Sequence, residues 1–234
     1  MIAVDLPGAA VRFSTRDGGV SEGPYASLNL GIQTGDVPER VIENRGLLAE
    51  SVGLAADDVV IGHQVHGIEI ERWDASPPAS FTDAAAARED VDGHVTGIQG
   101  LGLLVQVADC LPVALATDDR VAMAHCGWRG LASGIVARAV AEFDTPPVAV
   151  VGPGIGGCCF EVGPEVLAEF TDVEGAADGR MLDLRTVAEA RLRAAGVERV
   201  EHVDLCTHCR ADLFFSHRRD GAVTGRQCGI VWRT

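Results

Sequence analysis

Apolar positions crowd the middle of the chain in short runs. In L-G-L-L-V-Q-V-A-D-C-L-P-V-A-L-A-T-D-D-R-V-A-M-A-H-C-G-W-R-G, residues 101 to 130, the stretches 101–107, 113–117 and 121–124 have the length and character of buried strands. Asp118, Asp119 and Arg120 separate the last two, which predicts a hairpin. A turn centred near Asp119 sets position 113 opposite position 125. Cys110 then falls about three residues from the position facing His125, and at a rise of roughly 3.3 Å per residue the two side chains can meet. Pro112 is tolerated at the start of a strand. Beyond His125 the chain turns through Gly127, Trp128, Arg129 and Gly130 into a helical pattern from 131 to about 143.

The remaining pattern is irregular. A strand is predicted at 11–14. A helix opens at Asp36 and Pro38, shows a face of Val41, Leu48 and Val52, and ends at Gly53. Reading 59–73 as one alternating strand puts Gln64, His66, Ile68 and Ile70 on a single face, so that His66 looks into the core. Residues 74–90 read as surface or a helical excursion without chemistry, and Asp92-Gly93 as a turn. A strand at 146–151 runs into a glycine-rich loop at 152–163. Short helices are expected at 164–170 and, capped by Asp183, at 184–195. A strand follows at 200–203, and the tail from 214 to 232 reads as two strands around a turn. Hairpins and crossovers both occur, so the expected fold is α+β, with mixed β-sheets and helices packed outside them. Residues 1–234 read as a single domain, because nothing resembles a linker.

Composition narrows the chemistry. All 19 basic residues are arginine; the absence of lysine removes Schiff-base, pyridoxal-phosphate, P-loop and kinase-type lysine chemistry. A formal charge of −15 argues against a nucleic-acid partner, while leaving room for a small anionic substrate held by a local arginine cluster. No 18-residue apolar span and no leader pattern are visible, so a cytoplasmic protein without membrane association is expected. Seven cysteines, one pair adjacent, turn attention from disulfides to metal binding or thiol chemistry.

Cys110 and His125, with His66 as a third, are the metal-ligand candidates. Taken singly, such a cysteine or histidine is more often an inert core residue. Arg16 and Asn29 lie in the polar loop 15–31, where they either hold a ligand or brace the loop itself. The glycine-rich loop either cradles an anion through its N–H groups or packs closely. Cys206 and Cys209 have the spacing of half a zinc knuckle with His208 between them, but no second C-x-x-C follows, so a structural zinc is not expected there. Arg218, Arg219 and Arg226 cluster beside aromatic residues, as either a solvated face or an anion site.

Several motifs in order make the chain similar to a known family. They are S-x-R-x-G-G-V-S-x-G-P-Y-x-S-L-N-L-G at 14–31, G-D followed by N-R at 44 and 45, Q-V-H-G at 64–67 and A-D-C-L-P at 108–112. A-H-x-G-W-R-G at 124–130, G-P-x-I-G-x-C-C-F-E-V-G, and F-F-S-x-R-R-D with T-G-R complete the set. The chain resembles the YfiH-like, or laccase-domain, proteins, known as purine nucleoside phosphorylases and formerly as multicopper polyphenol oxidases. Gly157 stands where the family usually has proline, and Cys126 where alanine is common. The resemblance implies that His66, Cys110 and His125 bind one zinc with an open fourth position. It also implies phosphorolysis of inosine, adenosine and related nucleosides, with guanosine and methylthioadenosine as further candidates, to free base and ribose 1-phosphate, and adenosine deamination as a side reaction. Cys110, His125 and Asp109 are then the catalytic candidates, Asp109 as an orienting group or proton carrier. Arg16, Asn29, Arg129 and Arg218 are the substrate-binding candidates.

Three rival readings stand beside this one. A His2Cys set also suits copper, with Met123 as an axial candidate, although seven histidines without a His-x-His pair are few for a multicopper oxidase. A thiol hydrolase would use Cys110 as nucleophile and His125 as base, and some family members are described as peptidoglycan editing factors. The third is a non-enzymatic module stabilised by zinc.

Overall fold

The computed structural model describes residues 1–75, 81–83 and 89–234. In chain order its strands are β1 (Ile2–Leu6), β2 (Ala9–Phe13), β3 (Val59–Ile61), β4 (Ile70–Trp73), β5 (Gly93–Thr96), β6 (Gly102–Val107), β7 (Leu111–Ala116) and β8 (Val121–Cys126). They continue as β9 (Val148–Val151), β10 (Ala177–Asp178), β11 (Met181–Leu182), β12 (Val200–His202) and β13 (Gln227–Arg233). The α-helices are α1 (Pro38–Ser51), α2 (Trp128–Ser133), α3 (Ile135–Val140), α4 (Pro164–Leu167), α5 (Leu184–Ala194) and α6 (His217–Asp220).

Two mixed sheets carry the architecture. One has the order β1-β2-β13-β6-β3 and the other β12-β9-β7-β8-β5-β4, with β10 and β11 forming a small separate pair. The pairs β3/β6, β4/β5 and β9/β12 are parallel and the rest of both sheets is antiparallel. Alternation along each strand assigns its two faces to different cores. On β7, Ala114 and Ala116 join Val11, Phe13, Leu103, Val105 and Val231 in a core between the sheets. Leu111, Val113 and Leu115 point the other way, onto α2, α3 and α5. On the far side, Leu104, Cys228, Ile230 and Trp232 pack with Leu48 of α1. The result is two sheets face to face with helices outside both, the α+β arrangement expected from the sequence.

The chain crosses from the five-stranded sheet to the six-stranded one twice near the centre, between β3 and β4 and between β6 and β7. The first crossing corrects the single strand expected over 59–73. Residues 62–69 lie between strands of different sheets, and His66 is exposed with φ 62°, not turned into a core. The hairpin is present one residue out of the expected register: Pro112 faces His125, and Val113 faces Ala124.

Other local differences have local causes. The helix expected over 131–143 is α2 and α3, separated at Gly134, whose φ of 98° breaks the helical path. The tail forms the short helix α6, capped by the Ser216 side chain accepting from Arg219 N, and then one strand. Ser216, inside the span expected as two strands around a turn, serves as a helix start instead. Asp183 caps α5 as expected, accepting from Arg185 N. The expectation for 74–90 falls in large part outside the described residues. Phe81, within that span, is fully buried with the Arg45 guanidinium 5.4 Å over its ring, so it belongs to the core.

Candidate metal centre and its cavity

Three ligand-type side chains converge where the two crossings meet the hairpin. His66 comes from the β3–β4 crossing, Cys110 from the β6–β7 crossing and His125 from β8. Their ligand atoms lie within 4.8 Å of one another. Cys110 Sγ and His66 Nε2 are 3.8 Å apart, and the two imidazoles meet edge to face with centroids 4.8 Å apart. Bonds of roughly 2.3 Å to sulfur and 2.0 Å to nitrogen in a tetrahedron would set that pair about 3.5 Å apart, so the donor set fits a zinc ion. Glycine at 127 permits the approach. A Cβ there would stand 2.9 Å from His66 Cδ2 and 3.0 Å from Cys110 Sγ.

Asp92 organises the trio, and the sequence reading passed over it as half of a turn. Its carboxylate is fully buried and accepts from His125 Nδ1 at 2.7 Å. It also accepts from the backbone N–H groups of Val65, His66 and Gly67 at 3.1, 3.0 and 2.6 Å. One carboxylate therefore fixes the tautomer of His125, presenting Nε2, and holds the left-handed His66 turn against β5. A carboxylate behind a histidine ligand is the usual support of a metal site. An Asp-Gly pair suggests a turn first, so the missing signal was the burial of this aspartate.

The charges are coupled. Burial pushes the Cys110 thiol up, but His125 and then His66 outweigh it and bring the thiol down to about 6. Burial pulls the His125 imidazole down, but Cys110 and Asp92 raise it to about 9. Burial acts to raise Asp92, and its bonds to His125 and the N–H groups leave it below the usual carboxylate value. Between those limits the metal-free trio favours a thiolate beside an imidazolium.

The trio lies on a cavity of about 1160 Å³. Arg129, Arg180, Arg218 and Arg226 line it, as do Phe160, Gln64 and Gln106. Arg129 sits 4.3 Å over the Trp128 ring, and Arg218 lies 5.0 Å over Phe160 while donating to Glu161 O. Burial lowers the Arg226 guanidinium from its ordinary value. Asp109 also lines the cavity, with φ 97°, but both of its carboxylate oxygens are engaged: Oδ1 accepts from Thr207 Oγ1 and Oδ2 from Arg218 N. It pins the wall beside Cys110, which fits an orienting role better than proton carriage.

Two of the substrate-binding candidates lie elsewhere. Arg16 donates to Ala26 O and Ala211 O and stacks on Phe215. Asn29 is fully buried; it donates to Thr34 and Asp36 and accepts from Gly31 N and Arg226 N. Both brace the loop 15–31: Arg16 through Nε and Nη1, Asn29 through both its amide nitrogen and its amide oxygen. Asn29 reaches the cavity indirectly, through its bonds to the lining residues Gly31, Thr34 and Arg226.

Comparison with known proteins gives a consistent neighbourhood. The family model described as multi-copper polyphenol oxidoreductase laccase matches residues 10–234. The chain is 38% identical to purine nucleoside phosphorylase YfiH of Escherichia coli K12, covering 96% of this chain and 94% of that protein. It is 41% identical to purine nucleoside phosphorylase SCO2081 of Streptomyces coelicolor, covering 96% of each. Among solved structures, YlmD from Geobacillus stearothermophilus superposes with a TM-score of 0.90 at 34% identity, over 97% of this chain and 92% of that one. No helix among the described residues is long and apolar enough to cross a membrane.

Proposed function

The chain belongs to this YfiH-like laccase-domain family, and from that premise we propose that it is a zinc-dependent purine nucleoside phosphorylase, a pentosyltransferase that cleaves inosine or adenosine with phosphate. Its relatives carry that name. The observation that supports it most is the convergence of His66, Cys110 and His125 on one wall of a large cavity whose other walls bring arginines. His66, Cys110 and His125 would hold the zinc. When bound with three protein ligands, it supplies Lewis-acid polarisation of whatever occupies its open fourth position.

The remaining chemistry falls to the chain. In phosphorolysis an oxygen of hydrogen phosphate forms the bond to C1′ of the ribose as the bond from C1′ to the base breaks, and the base departs carrying the proton that the phosphate gives up. Arg218 and Arg226 neutralise the phosphate. Arg129, braced on Trp128, extends the cationic rim. Phe160 offers a flat face to the purine. Asp92 keeps His125 oriented and His66 in its turn. Adenosine deamination at the same site is a side reaction of this reading. Purified protein incubated with inosine and phosphate should release hypoxanthine and ribose 1-phosphate; no product from fully zinc-loaded protein would overturn the assignment.

One observation favours a second reading, a thiol hydrolase. Cys110, His125 and Asp92 stand in the order nucleophile, base and orienting acid, and the low thiol value suits a nucleophile. The readings separate at Cys110, which cannot be a closed metal ligand and a free nucleophile together. Alkylation of Cys110 in the zinc-loaded protein supports the hydrolase; protection of Cys110 by zinc supports the phosphorylase. A copper oxidase is less well matched, since the trio is the one histidine-containing group of converging ligands among the described residues.

A further inference from the structure

A second group of soft ligands lies outside the cavity. Cys158 and Cys159 sit in the glycine-rich loop after β9, and Cys206 and Cys209 in the loop after β12. In sequence the C-x-x-C at 206–209 has no matching C-x-x-C, which argues against a closed site there. In the fold its complement is the adjacent pair about fifty residues earlier, because β12 runs parallel to β9 and delivers the two loops side by side.

The sulfurs are grouped as a shell. Cys158 Sγ and Cys159 Sγ are 3.5 Å apart, Cys158 and Cys209 3.8 Å, and Cys159 and Cys209 3.4 Å, and all four sulfurs lie within 4.8 Å of one another. Four thiolates about 2.3 Å from one zinc ion stand roughly 3.8 Å apart along the tetrahedral edges. A disulfide would instead single out one pair near 2.05 Å and leave the others distant. Nor is there room among these sulfurs for the several metals and sulfides of an iron–sulfur cluster. All seven cysteines are free, so the four thiols remain available.

The loops are also held in place before any ion arrives. Gly154 and Cys206 form a bridge, and Thr207 N donates to Gly154 O. Arg185 Nη2 donates to both Gly154 O and Leu205 O, tying one loop to the other. Gly156 N donates to Cys206 Sγ at 3.2 Å, the kind of N–H support that a metal-bound thiolate receives.

We infer that Cys158, Cys159, Cys206 and Cys209 form a second metal centre, a closed tetrathiolate site for a single zinc ion. Its role is structural, since four protein ligands leave no position for a substrate. The ion clasps the two loops that supply Ile155 and Phe160 to the cavity wall and Thr207 to Asp109.

The test uses the full chain purified under reducing conditions without chelator. Elemental analysis should find two zinc ions per chain in the wild type, one in Cys209→Ser and one in His66→Ala. The Cys158→Ser variant provides an independent check and should also hold one. Cobalt substitution adds a signature: the intense visible absorption of a tetrathiolate ion should persist in His66→Ala and vanish in Cys209→Ser. A single zinc in the wild type that is wholly lost in His66→Ala would overturn the second centre, as would iron in place of zinc or a disulfide among the four cysteines by thiol titration. Because the two variants empty different sites, this result stands or falls separately from the phosphorylase assignment.

Discussion

The two chain segments that build the metal trio reach it by different means. Cys110 and His125 are set by the β7–β8 ladder, where Leu111 faces Cys126 and Pro112 faces His125 across an antiparallel pair buried on both faces. His66 arrives on an exposed turn with no ladder of its own, in a left-handed conformation, and its backbone is held by the carboxylate of Asp92. A ladder distributes the positioning over many hydrogen bonds, whereas the turn concentrates it in one side chain. The trio is therefore robust on one side and dependent on a single residue on the other.

Removing that residue should have the largest effect. Asp92→Ala leaves His125 Nδ1 and three backbone N–H groups without their acceptor, and a buried pair broken on one side costs about 3–5 kcal/mol. Urea unfolding should show this loss, and competition with a chelator should show zinc affinity lowered by at least about 10- to 100-fold. Stability that falls while zinc affinity is retained would mean that Asp92 serves the fold and not the ligands.

Acid probes β5, the strand paired with the far edge of β8. His94 on β5 is fully buried, accepts from Trp73 Nε1, and is held down to about 4 by burial, with Asp92 opposing. The unfolded chain therefore takes up a proton below about pH 6.5 that the folded chain refuses, so stability declines as pH falls from about 6.5 to 4, by about 3 kcal/mol. Unfolding midpoints across that window should slope less in His94→Asn than in the wild type; equal slopes would remove His94 as the cause.

His66→Ala isolates the turn side. Zinc at the trio should be lost, yet an exposed residue on a turn should change stability by less than about 1 kcal/mol in the metal-free protein. Gly127→Ala is milder, forcing the ligands apart by a few tenths of an ångström and weakening zinc by about 10-fold, on the scale of disturbing a ligand's support.

The smallest effect is kinetic. In zinc-free protein, alkylation of Cys110 should rise with pH through about 6, because His125 and His66 stabilise the thiolate, instead of through the ordinary thiol range. Added zinc should suppress it. A rise near the ordinary thiol value would show that the imidazolium partner is not formed.

These contrasts also explain what the sequence disclosed. The apolar runs flanking Asp119 and the spacing of Cys110 to His125 announced a hairpin and two converging ligands, with an error of one in register. That error is natural, since β7 and β8 are apolar on both faces, so the alternation does not say which residues stand opposite each other. The alternation from 59 to 73 was misleading because β3 and β4 belong to different sheets, and nothing local to Gly62 or Gly67 states that the chain changes layer. His66 was still named, through an argument that sent it the wrong way. Asp92 stayed hidden because its partners lie about 26 residues before and 33 after it in sequence. The fate of Arg16 and Asn29 was equally non-local: their loop had to close on 211 and 226 before it was clear that they brace it.

Both crossings from the five-stranded sheet to the six-stranded one carry a ligand of the trio, His66 on one and Cys110 on the other. The bite of the site and the sliding of one layer over the other are therefore a single mechanical coordinate. An ion held by the trio would tie the two layers together at the point where the chain passes between them.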